Sequence, residues 1–81
     1  MSDTDNPAPR IRAIVADVLA LNPDEIDDTA DFVTRYQADS LNLIEIVAQV
    51  EKHYQVVLPH DELPRAHTVD ALSDLLIRHA A

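Results

Sequence analysis

The sequence predicts an all-α fold, a small irregular antiparallel bundle of three main helices plus one short helix. Apolar residues recur at helical spacing in three segments, and prolines or helix-capping residues mark the ends of these segments. The connections after the second segment are short, which favours antiparallel neighbours. The β-branched stretch 55–58 has no candidate partner strand, so we expect no sheet.

The first helix is predicted at about residues 9–21. Pro9 suits the first turn of a helix, where its missing N–H costs nothing, and the residue before Pro23 is pushed out of the helical region. The apolar stripe of this helix consists of Ile11, Ile14, Val15, Val18 and Leu19. We expect residues 1–8 to form a flexible tail and residues 9–81 to form one domain.

Residues 23–39 lack helical periodicity and are predicted to form a long loop rather than a helix. Such a long loop in a small domain is usually functional or disordered. Phe32 and Tyr36 indicate that this loop is pinned to the core. Its acidic residues are Asp24, Glu25, Asp27, Asp28, Asp31 and Asp39.

The second helix is predicted to begin near Ser40, because Asp39 and Ser40 are both good N-cap residues, and to continue to Tyr54. At about 100° per residue, its core face holds Leu43, Ile46, Val47, Val50 and Tyr54. Its outer face holds Leu41, Ile44, Glu45, Ala48, Glu51 and Lys52. An exposed apolar strip bordered by charges tends to mark a binding surface.

Two shorter features complete the predicted fold. A single helical turn is expected at residues 60–63, between Pro59 and Pro64, and Thr68 is a good N-cap for the last helix. Helical spacing in this last helix relates Val69, Leu72, Leu75, Leu76 and His79.

The composition excludes several classes of function. With 15 acidic and 6 basic residues among 81, the net charge is −9, so nucleic acid and anionic membranes would repel the protein and basic proteins are the expected partners. The chain contains no Cys and no Gly, which excludes disulfide scaffolds, cysteine-ligated zinc and glycine-rich phosphate loops. Residues 1–7 are acidic, and no apolar run approaches the roughly 20 residues that span a bilayer. We therefore expect a cytoplasmic protein.

Catalytic and metal sites are not indicated by the remaining residues. The histidines lack the close pairing and clustered carboxylates of a transition-metal site, and we interpret them as surface and helix-end residues. The acidic loop lacks the central Gly of a calcium loop. A catalytic set built on Ser40 would lack a Gly-x-Ser-x-Gly elbow, so we expect no enzyme. The four histidines are His53, His60, His67 and His79.

Ser40 is of interest for another reason. A serine at the start of a helix presents its hydroxyl where backbone N–H groups and the positive end of the helix dipole favour an attached phosphate. The alternative is that Ser40 only caps the helix, as many serines do.

The run from Phe32 to Ile46, FVTRYQADSLNLIEI, resembles the signature of acyl carrier proteins, in which Asp-Ser-Leu opens the second helix and a Glu follows shortly. Three further stretches resemble the family: the helix end at residues 51–54, the Val-Leu-Pro exit at 57–59 and the Thr-Val helix start at 68–69. The resemblance covers about residues 9–80.

The resemblance implies that Ser40 receives 4′-phosphopantetheine from coenzyme A through a phosphodiester, in a reaction catalysed by a separate phosphopantetheinyl transferase. The thiol of this arm would carry an acyl, aminoacyl or polyketide intermediate as a thioester. The implied partners are the transferase and acyl-loading, acyltransferase or synthase enzymes with basic docking patches, and we expect a monomer when the protein is free. The implied partner-binding residues are Asp39, Leu41, Ile44, Glu45, Ala48 and Glu51.

Three residues depart from the family pattern. Gln37 stands where carriers usually have Gly, so a positive φ would not come at low cost there. Asn42 and Lys52 stand where fatty-acid carriers are often acidic, which makes the second helix less negative. We therefore expect a polyketide or related specialised-metabolite pathway. The alternatives are a primary fatty-acid-synthesis carrier and, from another class, an unmodified acidic helical adaptor.

Overall fold

A computed structural model describes residues 6–79, and within this range it contains four α-helices and no strand. Two single turns of 3₁₀-helix lie in the connections, at Pro23–Glu25 and Leu63–Arg65. The prediction of an all-α fold with three main helices and a short one is confirmed. The α-helices are α1 (Ala8–Leu19), α2 (Phe32–Tyr36), α3 (Ser40–Tyr54) and α4 (Val69–His79).

Helix α1 lies slightly upstream of its predicted position. It ends at Leu19 because Ala20 adopts a left-handed conformation, with φ 58° and ψ 43°, and the Leu21 N–H donates to the Ala16 carbonyl at 2.8 Å. This is the bond that closes a Schellman motif. The tail predicted for residues 1–8 lies outside the described residues over positions 1–5. Of the remainder, Pro7 is buried and Ala8 begins α1.

The prediction that residues 23–39 form only a loop is wrong, because they contain α2. Asp31 caps this helix: its carboxylate accepts the N–H groups of Val33 at 2.8 Å and of Thr34 at 3.1 Å. A helix of five residues has little more than one turn. It is therefore too short to be predicted from the periodicity of apolar residues.

The pinning of this loop by its two aromatic residues is confirmed. Phe32 is fully buried. The Tyr36 hydroxyl accepts the Asp27 N–H at 2.7 Å and donates to the Glu25 carbonyl at 3.3 Å. The segment therefore has a fixed path from the end of α1 to the start of α3.

Helix α3 has the predicted bounds, but its cap is more specific than predicted. Asp39 is the N-cap, and its carboxylate accepts the Asn42 N–H at 2.8 Å. The Asn42 side chain accepts the Asp39 N–H at 3.0 Å, which completes a capping box. Ser40 is therefore the first helical residue and not the cap. The helix ends where Gln55 adopts φ 55°.

The segment between α3 and α4 differs in part from the prediction. Residues 60–62 form a turn, and the helical turn follows at Leu63–Arg65. It thus includes Pro64 instead of ending before it, which is allowed because the first N–H groups of a helix have no internal partner. The predicted cap of α4 is confirmed, since Thr68 Oγ1 accepts the Ala71 N–H at 3.0 Å.

The core lies between α1, α3 and α4, with α1 packed against both other helices. Two backbone hydrogen bonds attach the acidic segment to the start of α4: Phe32 N–H to the His67 carbonyl at 2.7 Å, and Asp70 N–H to the Asp28 carbonyl at 3.0 Å. Within residues 6–79, no helix has the length and apolar character needed to cross a membrane. The largest fully buried side chains include Ile11, Val15, Phe32, Ile46, Val50, Leu58, Val69, Leu72, Leu75 and Leu76.

Candidate functional site

Ser40 lies exposed at the first position of the 15-residue helix α3. The first backbone N–H groups of a helix have no carbonyl partner within it, and they give this end a partial positive charge. The capping box fixes Asp39 immediately before the serine. The hydroxyl of Ser40 is thus presented to solvent at a position that favours a phosphate group.

The predicted docking residues form an exposed face of α3 beside Ser40. Leu41 is 75% exposed and Ile44 is 64% exposed, although both are large apolar residues. Asp39, Glu45 and Ala48 are also exposed. We call these five residues, Asp39, Leu41, Ile44, Glu45 and Ala48, the docking face.

Glu51, the sixth predicted partner-binding residue, has a different environment. It is half-buried, and its Oε2 atom accepts the Leu58 N–H at 2.8 Å. This contact connects the last turns of α3 to the chain that follows it. Glu51 therefore holds the exit of α3 in place, a role that its position on a helical wheel does not reveal.

An apolar cavity of about 430 Å³ lies beside α3, and Ser40 is among the residues that line it. Its walls come mainly from α3 and from the segment 60–67, with Phe32 of α2 and Leu72 of α4 also in the lining. Sequence reasoning missed this cavity. Leu43 and Val47 were predicted as core residues, yet both are only half-buried and line the cavity, because the facing segment does not fill the space beside them.

The four histidines occupy two kinds of position. His53 lies at the end of α3 with its ring 4.7 Å from that of Tyr54, and His79 Nε2 lies 3.4 Å from Glu62 Oε2. These two fit the predicted surface and helix-end positions. His60 and His67 instead line the cavity, and His67 is half-buried. Among the residues that the structure describes, no three His, Asp or Glu residues are grouped so that they could hold a metal ion.

Hydrogen bonds favour the charged forms of several side chains in and next to the acidic segment that precedes Ser40. The pKa of Asp31 is lowered mainly because its carboxylate accepts the Thr34 N–H, and the pKa of Asp27 is lowered mainly because its carboxylate accepts the Thr29 N–H. Arg12 forms a two-pronged ion pair with Asp28, at 2.8 and 2.9 Å, and this hydrogen bonding raises the pKa of the guanidinium.

Comparison with known proteins assigns this arrangement to a family. Residues 9–76 match the family described as phosphopantetheine attachment site. The acyl carrier protein of Zymomonas mobilis subsp. mobilis is 40% identical over 74 residues, which cover 90% of this chain and 91% of that protein. The chain belongs to the acyl carrier protein family.

Membership in this family tests several of the expectations drawn from the sequence. Acyl carrier proteins bear a covalently attached 4′-phosphopantetheine and interact with transferases and synthases. This protein is accordingly a carrier that presents its cargo to enzymes and is not itself an enzyme. The family assignment also replaces the alternative of an unmodified acidic adaptor.

Proposed function

We propose that Ser40 is the residue that receives 4′-phosphopantetheine, and that the protein delivers acyl intermediates to partner enzymes through the docking face. One observation carries the assignment: Ser40 is exposed at the first position of α3 and also lines the apolar cavity. A carrier needs this combination, because its attachment point must be open to a transferase and close to a place that shelters an apolar chain.

In the attachment step, this protein supplies the Ser40 hydroxyl as the nucleophile. The Ser40 oxygen forms a bond to the phosphorus that bears pantetheine in coenzyme A, the pyrophosphate bond breaks, and the adenosine-containing part leaves. The hydroxyl proton passes to a base of the transferase. When bound, the group supplies a thiol that holds an acyl chain as a thioester. The N–H groups at the start of α3 favour the negative charge of the phosphodiester.

The docking face supplies two kinds of contact to partner enzymes. Asp39 and Glu45 attract basic residues, and such steering raises the rate of encounter more than the final affinity. Leu41 and Ile44 provide apolar area that is removed from water on binding. Glu51 is left out of the proposed face because its carboxylate accepts the Leu58 N–H.

Intact mass after incubation with coenzyme A and a broad-specificity phosphopantetheinyl transferase tests the attachment residue. The wild-type protein should gain the mass of one phosphopantetheine, and Ser40→Ala should gain none while remaining helical. Thr34→Ala is the matched control, since Thr34 also carries a hydroxyl at an exposed helical position nearby, and it should be modified normally. Modification of Ser40→Ala would assign the arm to another residue.

We further propose that the pathway served is a polyketide or related specialised-metabolite pathway. Support comes from Lys52, which is exposed on α3 where fatty-acid carriers are often acidic. Asn42 supports this less, because it is half-buried and its side chain accepts the Asp39 N–H. A primary fatty-acid-synthesis carrier is the alternative.

Turnover by a fatty-acid elongating enzyme separates the two pathways. We expect the phosphopantetheinylated wild type to be a poor substrate and Lys52→Glu to improve it by a few-fold to about tenfold, since two charges change and each exposed pair contributes about 0.2–1 kcal/mol. Lys52→Gln should give about half of this effect on a logarithmic scale, and Asn42→Asp should add little. Efficient elongation of the wild type would instead place the protein in fatty-acid synthesis.

A further inference from the structure

Two histidines place imidazole groups on the wall of the cavity that faces α3. The residues that surround His60 and His67 along the segment 60–67 include Leu63, Pro64 and Ala66, all of which also line the cavity. Among the described residues that line the cavity, Glu51 is the one with a carboxylate, and this carboxylate already accepts the Leu58 N–H. The imidazoles are thus the groups on this wall that could offer a new hydrogen bond to an occupant.

The hydrogen-bonding groups of the two imidazoles restrict which kind of chain can lie against them in the cavity. A neutral imidazole carries one N–H donor and one nitrogen acceptor. A saturated chain that covers these atoms displaces water without replacing its hydrogen bonds, which is unfavourable. A chain that carries an oxygen atom can replace the lost water instead.

We propose that His60 and His67 make the cavity selective for an acyl chain that bears a hydroxyl or keto oxygen. This inference rests on the proposed function, because the chain reaches the cavity from an arm on Ser40. His67 contributes more to the selection, since it is half-buried and its own carbonyl is fixed by the Phe32 N–H at 2.7 Å. His60 is exposed and keeps part of its contact with water.

Asp31, the acidic residue near His67, is the N-cap of α2. One oxygen of the Asp31 carboxylate, Oδ1, accepts the N–H groups of Val33 at 2.8 Å and of Thr34 at 3.1 Å. Asp31 is thus held as the cap of α2, and His67 is among the residues that line the cavity.

Protection of the thioester measures the selection directly. The protein is loaded from hexanoyl-coenzyme A and, separately, from 3-hydroxyhexanoyl-coenzyme A with the same transferase. The rate of cleavage by hydroxylamine is then divided by the rate for the same acyl group on pantetheine alone, which removes the difference in intrinsic reactivity. We expect the hydroxylated chain to be protected about threefold to tenfold more than the saturated chain, the effect of one hydrogen bond.

Substitutions locate the selection at the two imidazoles. The double variant His60→Leu, His67→Leu should lose the preference for the hydroxylated chain and protect the saturated chain at least as well as the wild type does. His67→Gln should retain most of the preference, because the amide can still donate and accept, and it provides a second variant if the double variant unfolds. His53→Leu is the matched control, since His53 is absent from the cavity lining.

The outcomes separate this inference from the proposed function. No gain in mass on loading overturns the assignment of Ser40. A normal gain in mass with equal protection of both chains overturns the selectivity alone. Persistence of the preference in the double variant, or its loss in His53→Leu, also overturns the role of the two histidines. In addition, nuclear magnetic resonance signals of the His67 ring should shift more with the hydroxylated chain than with the saturated one.

Discussion

Asp39 and Asn42 hold each other at the start of α3 through two hydrogen bonds, with the Asn42 N–H 2.8 Å from the Asp39 carboxylate and the Asp39 N–H 3.0 Å from the Asn42 side chain. Each residue satisfies a backbone donor that the helix leaves without a partner. The pair fixes the position of Ser40, which lies between them. Asn42 therefore fixes the local geometry around Ser40, and it adds no charge to the docking face.

Removing the Asn42 side chain should destabilise the protein. We expect Asn42→Ala to lower the free energy of unfolding by about 0.5–1 kcal/mol, because the Asp39 N–H loses its partner. Asn42→Asp keeps an oxygen at the same position and should cost less. Urea denaturation measures the difference, and Gln49→Ala, on the same helix, is a control expected to remain within about 0.5 kcal/mol of wild type. An unchanged stability of Asn42→Ala would mean that the capping box contributes nothing.

Replacing Gln37 by glycine should stabilise the protein. Gln37 has φ 58° and ψ 35°, a left-handed conformation that a side chain makes unfavourable and that glycine adopts readily. We expect Gln37→Gly to raise the free energy of unfolding by about 0.5–1 kcal/mol. Gln49→Gly is the matched control: it lies within α3 and should destabilise by about 1 kcal/mol. Equal effects of the two substitutions would contradict this account.

Acid should weaken the protein in part through Asp31. The folded pKa of this carboxyl is lowered, so its charged form stabilises the fold above the unfolded value of about 3.9, and this contribution is lost as the pH falls through the lower folded value. Asp31→Ser keeps a capping oxygen that does not titrate. Its stability should depend less on pH below about 4 than that of the wild type, as measured by thermal unfolding across that range. Parallel curves for the two proteins would exclude Asp31 as a source of acid sensitivity.

Changes on the docking face should affect turnover more than folding. Glu45→Lys and Ile44→Ala each remove an exposed contact, so partner-enzyme turnover should fall while the free energy of unfolding changes by no more than about 0.5 kcal/mol. Asp17→Lys and Ile77→Ala are matched controls at exposed positions on α1 and α4 and should leave turnover unchanged. Added salt should slow the wild type more than Glu45→Lys, because exposed charges are screened beyond about 8–10 Å. Equal losses in variants and controls would point to another surface.

Sequence reasoning succeeded where an element is long enough to show a pattern. Helix α3 contains several turns, so its bounds and the exposure of Leu41 and Ile44 could be predicted from periodicity. Helix α2 could not, because its formation depends on one aspartate cap and on the burial of Phe32. The Asp39–Ser40 pair was recognised as a helix start, but only the structure assigns the cap to Asp39.

The remaining differences depend on contacts between distant parts of the chain. Periodicity places Leu43 and Val47 on the inner face, but it does not show whether the segment 60–67 fills the space opposite them. For the same reason, periodicity does not show that His67 lies on the cavity wall. Gln37 is a different case. Its residue type disfavours positive φ, yet the structure adopts it at the end of α2, where the chain turns so that the Ala38 N–H donates to the Phe32 carbonyl at 3.0 Å.

Two backbone hydrogen bonds connect the acidic segment to the start of α4. At this junction the Phe32 N–H of the acidic segment donates to the His67 carbonyl, and the Asp70 N–H of α4 donates to the Asp28 carbonyl. Neither amide can exchange its hydrogen with solvent until the junction separates, so both should exchange through a single opening event with one free energy. We therefore expect the segment that precedes Ser40 and the last helix to open as one cooperative unit, although the whole of α3 lies between them in the sequence.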